Sequence, residues 1–220
     1  KERVGTRGPR GKLGVELGAH HPRVIVHFDH LSIRDGLSQA VVNAILQDHH
    51  GFMWFGTQDG LNKYDGYEVT SYLADPDNPF SLSDNAVLSI LESQTGYIWI
   101  GTGNGGLNRF DRNTGQFIHF YHDPDDPSSI TSNNILTLYE DRSGFLWIGT
   151  SGGGLNRFDP KTEQFISYQN DPSDPNSISS NSVTSIFQDD TGTFWIGTEG
   201  GGLNRFTPGS VSDEDMIHYL

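Results

Sequence analysis

Two glycine-rich stretches and one acidic loop are where chemistry would first be sought in this chain. Gly101-Thr102-Gly103-Asn104-Gly105-Gly106 has the glycine spacing of a dinucleotide-binding turn, and Gly149-Thr150-Ser151-Gly152-Gly153 that of a nucleophile elbow. Both chemistries need a helix directly after the turn, to aim amides at a pyrophosphate or to hold the serine on a strained corner. The residues that follow, Leu107-Asn108-Arg109-Phe110 and Leu155-Asn156-Arg157-Phe158, read instead as strands. The position of Ser151 is held elsewhere in the chain by Gln58, Gly103 and Glu199, which is not the behaviour of a nucleophile. Asp123, Asp125 and Asp126 offer hard oxygen ligands of the kind calcium takes. The same Asp-Pro composition is what turns use without a metal. Nine histidines show no H-E-x-x-H or similar spacing, and there is no cysteine. The expectation is no catalytic residue, no metal and no cofactor.

The glycines belong to a unit written four times. Thr193-Phe194-Trp195-Ile196-Gly197-Thr198-Glu199-Gly200-Gly201-Gly202-Leu203-Asn204-Arg205-Phe206 has counterparts around Trp54, Trp99 and Trp147, so the chain's four tryptophans recur at intervals of 45, 48 and 48 residues. Such a period, filled with short strand-like runs and glycine turns, predicts an all-β protein built of β-propeller blades.

Each unit divides into four runs. In the third they are 135–140, 145–150, 155–159 and 164–168, closed by Asp141-Arg142-Ser143-Gly144, by a glycine turn and by Pro160-Lys161-Thr162-Glu163. Runs of five or six residues joined by tight turns make an antiparallel meander. The blades are expected at about 40–73, 86–121, 134–169 and 182–219, with first strands at 41–47, 87–92 and 183–188 and fourth strands at 68–73, 116–121 and 216–219. An additional strand at 24–28 brings the expected count to 17, four blades and one strand, so the chain reads as part of a larger ring. Residues 1–22 read as a flexible basic leader, and 23–220 as propeller.

Long repeated connections, such as Asp123-Pro124-Asp125-Asp126-Pro127 through Asn133, carry the chain from the outer edge of one blade to the inner strand of the next. In a meander these connections and the glycine turns open on one face, here called the top; the Asp-x-x-Gly turns open on the other. The tryptophans, one per blade at the same strand position, are expected in the packing between blades. The Asn of Leu-Asn-Arg and the Thr of Gly-Thr are expected to bridge neighbouring blades by hydrogen bonds.

What differs among the copies is as informative as what recurs. The top turns read Gln58-Asp59, Gly103-Asn104, Ser151-Gly152 and Glu199-Gly200, and the residues before the inner strands read Gln39-Ala40, Asn85-Ala86, Asn133-Asn134 and Asn181-Ser182. A shared scaffold with differing polar groups on one rim is how a propeller would shape a binding site. The expected ligand-binding residues are therefore Gln39, Gln58, Asp59, Asn85, Asn104, Asn133, Ser151, Asn181 and Glu199.

Charge narrows the partners. The formal charge is −14, and six of the 14 Lys/Arg lie in the first 23 residues, so the remainder carries eight basic against 26 acidic residues. Such a surface repels phosphate backbones, and nucleic acid is not an expected partner. No apolar run reaches the length of a membrane span, and residues 1–22 lack the apolar centre of a signal peptide. Open blade faces at the ends of an arc would favour self-association.

The unit Asn-x-Val-x-x-Ile-x-x-Asp-x-x-Gly-x-x-Trp-Ile-Gly-Thr-x-Gly-Gly-Leu-Asn-Arg-Phe-Asp resembles the two-component regulator propeller repeat of bacterial hybrid sensor histidine kinases. The run from Phe28 to Gln39, followed by Gly51 to Asn62 and Tyr64-Asp65-Gly66, resembles the opening of such a sensor region. The resemblance covers about residues 24–220. It implies an extracytoplasmic, periplasmic propeller, commonly seven-bladed, followed in the whole receptor by a small β-sandwich, a membrane span and an output domain. By that resemblance the chain is expected to be a non-enzymatic ligand-sensing segment, taking a small-molecule, glycan or protein partner and meeting the membrane only through flanking segments. Two other readings stand beside it: a protein-interaction or carbohydrate-binding propeller without signalling, and a propeller lyase, for which no His and Glu stand at matching rim positions.

Overall fold

A computed structural model describes residues 29–207 and 217–219. The predicted leader and the predicted strand at 24–28 lie outside the described residues. Within the compact unit that begins at Leu31, a 3-10 turn at Ile33–Asp35 precedes 16 strands in four sheets of four. The first blade holds β1 (Val42–Gln47), β2 (Met53–Thr57), β3 (Gly60–Tyr64) and β4 (Val69–Tyr72). The second holds β5 (Val87–Glu92), β6 (Ile98–Thr102), β7 (Leu107–Asp111) and β8 (Gln116–Phe120). The third holds β9 (Ile135–Glu140), β10 (Leu146–Thr150), β11 (Leu155–Asp159) and β12 (Gln164–Tyr168). The fourth holds β13 (Val183–Gln188), β14 (Phe194–Thr198), β15 (Gly202–Phe206) and β16 (Ile217–Tyr219). Every sheet is an antiparallel meander in chain order, as the four-run reading predicts. Strands follow both repeat glycines, β7 after Gly106 and β11 after Gly154, which removes the helix that cofactor or elbow chemistry would need.

Alternation along each strand gives a blade two apolar faces, and one face of each blade packs on the opposite face of the next. Trp54 and Leu61 of the first blade pack with Val87, Ile98, Ile100 and Phe110 of the second. The same contact recurs as Trp99 and Leu107 against Ile135, Leu146, Ile148 and Phe158, and as Trp147 and Leu155 against Val183, Phe194, Ile196 and Phe206. The indole meets the next blade's third-strand phenylalanine with ring centroids 5.6 Å apart for Trp54–Phe110, 5.4 Å for Trp99–Phe158 and 5.3 Å for Trp147–Phe206. An aromatic ring of this size buries on the order of 200 Å². Trp54, Trp99 and Trp147 are buried, whereas Trp195 of the fourth blade is half-buried.

Close packing sets the residue in the second strand. A Cβ at Gly149 would lie 2.7 Å from the Val183 carbonyl oxygen of the next blade, so glycine is what lets the two strands approach. Each inner strand also carries a bulge, between Val42 and Ala44, Val87 and Ser89, Ile135 and Thr137, and Val183 and Ser185. The extra residue re-aims the strand end as the connection enters it. No helix of the described residues is long and apolar enough to cross a membrane.

Candidate ligand-binding rim

The connections and the glycine turns do share one end of the blades. Gly60, Gly106 and Gly154 donate their amides to the carbonyls of Asn85, Asn133 and Asn181, at 2.7, 2.9 and 2.8 Å. Each bond runs from the second-to-third-strand turn of one blade to the connection entering the next. The glycine is required because φ is positive there (+109° at Gly60), and a Cβ would sit 2.8 Å from the Tyr72 carbonyl oxygen.

The three asparagines also hold their own connections shut. Their Oδ1 atoms accept the amides of Ala74, His122 and Asn170, each at 2.7 Å, eleven residues upstream. Asn85 Nδ2 adds a bond to Asp59 Oδ1 at 3.2 Å. These side chains are half-buried and engaged with the scaffold. Gln58, Asp59, Asn104, Ser151 and Glu199, in contrast, are exposed on the turn tips. Four of these backbones are held: Asp59 donates its amide to Thr57 Oγ1 at 3.1 Å, Ser151 and Glu199 to the Asn134 and Ser182 carbonyls at 3.0 and 2.8 Å, and Asn104 to Asp84 Oδ2 at 2.9 Å.

Gln39 falls one place away from the position assigned to it. Ser38, Ser83, Thr131 and Ser179 are equivalent, since each donates its amide to the Oδ1 of the Leu-Asn asparagine of its own blade, Asn62, Asn108, Asn156 and Asn204, at 3.0 to 3.2 Å. Gln39 therefore matches Asp84, and Ala40 matches Asn85. The same bonds correct the expected bridging role. Those asparagines tie the incoming connection to the third strand of the same blade, and the Gly-Thr threonines close their own turn, as Thr57 Oγ1 does with the Gly60 carbonyl at 2.9 Å. Neighbouring blades are joined by other groups.

The aspartates of the connections act in Asx turns. Asp123 Oδ1 accepts the Asp125 amide at 3.0 Å, Asp126 Oδ1 that of Ser128 at 2.9 Å, and Asp171 Oδ1 that of Ser173 at 2.9 Å. The Ser128 and Ser173 hydroxyls, then these amides, hold the Asp126 and Asp171 carboxyls below the ordinary aspartate range. Among the described residues no group of three or more His, Asp or Glu is placed to hold a metal ion.

The opposite face carries its own bonds between blades. The residue after each bottom-turn cap donates its amide to the last residue of the next blade's first strand: His49 to Glu92 at 2.8 Å, Gln94 to Glu140 at 2.8 Å and Arg142 to Gln188 at 3.5 Å. Burial raises the Glu140 pKa, the Gln94 amide opposes this and nearby Asp141 adds to it. Between the second and third blades, Tyr97, Trp99, Arg109, Phe145 and Lys161 border a cavity of about 390 Å³. A departure was legible in the sequence here, because Ser93 interrupts an otherwise regular Asp-x-x-Gly series.

Comparison with known proteins follows the blades. Residues 36–59, 81–104, 129–152 and 177–200 each match the family described as two component regulator propeller. Histidine kinase P4 of Formosa agariphila is 39% identical over 71 residues, 32% of this chain and 5% of that protein. Among solved structures, one described as the extracellular domain of a hybrid two-component system from B. thetaiotaomicron superposes with a TM-score of 0.78 at 29% identity, over 87% of this chain and 26% of that one. Another, described as the extracellular domain of a one-component system from the same organism, gives 0.66 at 27% identity, over 81% and 25%. Virginiamycin B lyase from Staphylococcus aureus, at 17% identity and a TM-score of 0.57 over 80% of this chain and 54% of that one, shares the fold alone. The chain spans about a quarter of the length of the two extracellular domains it resembles. Each of its four blades thus holds a segment that matches the two-component regulator propeller repeat.

Proposed function

We propose that this chain is a non-enzymatic, extracytoplasmic ligand-sensing segment of a two-component signalling receptor, and that recognition takes place on the top rim. The observation that carries the site is the contrast at that rim. The turns of the first three blades are anchored through Gly60, Gly106 and Gly154 to the asparagine carbonyls and that of the fourth through Glu199 to the Ser182 carbonyl, yet their exposed tips present Gln58 with Asp59, Asn104, Ser151 and Glu199. Fixed positions with variable polar groups suit a small-molecule, glycan or protein ligand that is read by hydrogen bonding. In this reading Asn85, Asn133 and Asn181 are the latches that keep the turns in place. The likeness to extracellular domains of two-component systems supports the sensor role and the location.

The test is to screen the chain against an oligosaccharide array and repeat any hit with the variant carrying Gln58→Ala, Asn104→Ala, Ser151→Ala and Glu199→Ala together. Binding lost at unchanged thermal stability supports the rim; binding retained by the variant overturns it. Reading the polypeptide beyond residue 220 separates a receptor, with a membrane span and kinase motifs, from a propeller without a signalling role.

A further inference from the structure

Three of the four bottom turns carry the same device. Asp48, Asp141 and Asp189 each accept the indole N–H six residues further on, at 2.7, 2.8 and 2.9 Å. The other oxygen of each carboxylate accepts the amides two and four residues on. One carboxylate thus gathers three N–H donors, a strong arrangement because the acceptor is charged.

The second blade keeps the turn and the tryptophan but has Ser93 in place of the aspartate. The Ser93 hydroxyl is engaged with Thr95 Oγ1 at 2.8 Å and the Tyr97 carbonyl at 3.2 Å. Trp99 is 2% exposed, and its ring meets Phe120, Phe158 and Arg109. Its indole N–H and the Thr95 and Tyr97 amides, the counterparts of the three donors, meet no carboxylate. Ser93, Thr95, Tyr97 and Trp99 all border the cavity of about 390 Å³.

The cleft is open for a second reason. Between the first and second blades, Arg112 crosses the equivalent space to pair with Asp48 at 3.1 Å and with Glu92. The third blade has Pro160 at that position, so between the second and third blades both the cation and the aspartate of the pair are replaced. Arg109 remains, with its guanidinium 5.0 Å from the Tyr97 ring centroid and one amino group on the exposed Glu163 at 3.0 Å, while its Nε has no hydrogen-bond partner. Phe145, Leu146 and Pro160 give the cleft apolar walls; Lys161, Asp159 and Glu140 complete its charged border.

We propose that this cleft binds a small organic carboxylate with an apolar or ring-shaped body. The ligand carboxylate accepts the Trp99 indole N–H and the turn amides, the role that aspartate plays in the three sister blades. Arg109 supplies the countercharge, and the ligand body lies against Tyr97 and Phe145. A cavity of this size is within the range of small-ligand sites, about 300 Å³ and upward.

The experiment follows the four tryptophan indole N–H signals by NMR while benzoate is added, with benzamide as the neutral control and Trp99→Phe to assign the signal. Expected is a saturable shift of the Trp99 signal by benzoate and not by benzamide, with the other three unmoved. Ser93→Asp, which restores the carboxylate found in the sister turns, should weaken that response by about tenfold or more. Arg109→Gln should weaken it as well, and serves if Ser93→Asp does not fold. A Trp99 signal unmoved by millimolar benzoate, moved equally by benzamide, or equally responsive in the folded variants would overturn the proposal.

Discussion

Trp147 Nε1 lies 2.8 Å from Asp141 Oδ2, and this bond makes one blade's turn part of the wall between two blades. Asp141 is 6% exposed and also accepts the Ser143 and Phe145 amides at 2.8 and 3.0 Å. Hydrogen bonds to a charged acceptor contribute about 1.5–3 kcal/mol each at most, and orphaned donors add their own cost. Asp141→Ala is expected to lower the unfolding free energy by about 2–4 kcal/mol. Urea unfolding measures this, and a double-mutant cycle with Trp147→Phe should recover part of the loss as coupling.

The tryptophans should not be equal. Trp147→Ala removes a 1%-exposed ring packed on Phe194 and Phe206, and should cost about 3–5 kcal/mol. Trp195→Ala, at a half-buried position, should cost clearly less. Paired chemical denaturation curves decide; equal losses would contradict the packing described.

Asn133→Ala deprives the His122 amide of its acceptor and should cost about 1–2 kcal/mol. Asn104→Ala, at an exposed turn tip, should stay within about 0.5 kcal/mol of the parent. Thermal melts of the two variants separate latch from rim.

Asp189 has its pKa lowered from 3.8 to about 2, first by the Thr191 hydroxyl and then by the Trp195 indole, with the turn amides adding and burial opposing. A depressed carboxyl contributes stability that is fully present above its unfolded value, about 3.9, and is lost as pH falls toward the folded one. Stability should therefore drop between pH 4 and 2, within those limits. Asp189→Asn should flatten that part of the acid titration, as followed by circular dichroism.

Glu140 shifts in the opposite direction, raised chiefly by burial. Its contribution is present below the ordinary carboxyl value and falls away as pH rises through the raised one. Glu140→Gln keeps an oxygen for the Gln94 amide, as Gln188 does for Arg142, and removes the half-buried charge. A modest rise in melting temperature at neutral pH, absent at low pH, is the expected result.

The strands were open to reading because their signals are local. Alternating apolar residues define each run, glycine and Asp-x-x-Gly turns bound it, and the four copies check one another, so most strand limits agree within a residue. One large ring per blade at a constant position needs a buried partner, which places all four tryptophans between blades; Trp54, Trp99 and Trp147 are buried there, and Trp195 is half-buried. The site was only partly open. Asn85, Gln58 and Glu199 look alike in sequence as polar residues near turns, and only folding separates a side chain engaged with an amide eleven residues away from one left on a tip. Gln39 was misaligned because the first unit lacks the Asp-Pro connection that registers the others.

The repeat, the antiparallel blades and the turns follow from the order of residues alone, because they depend on spacing and on backbone preferences within a few residues. Which groups join the blades, His49 to Glu92 and Gly60 to Asn85 among them, is settled by the stacking of the sheets, because such bonds connect residues brought together by packing. The cleft beside Trp99 belongs to that second class: Ser93, Arg109 and Pro160 lie far apart in the chain and form one space only when two blades stack.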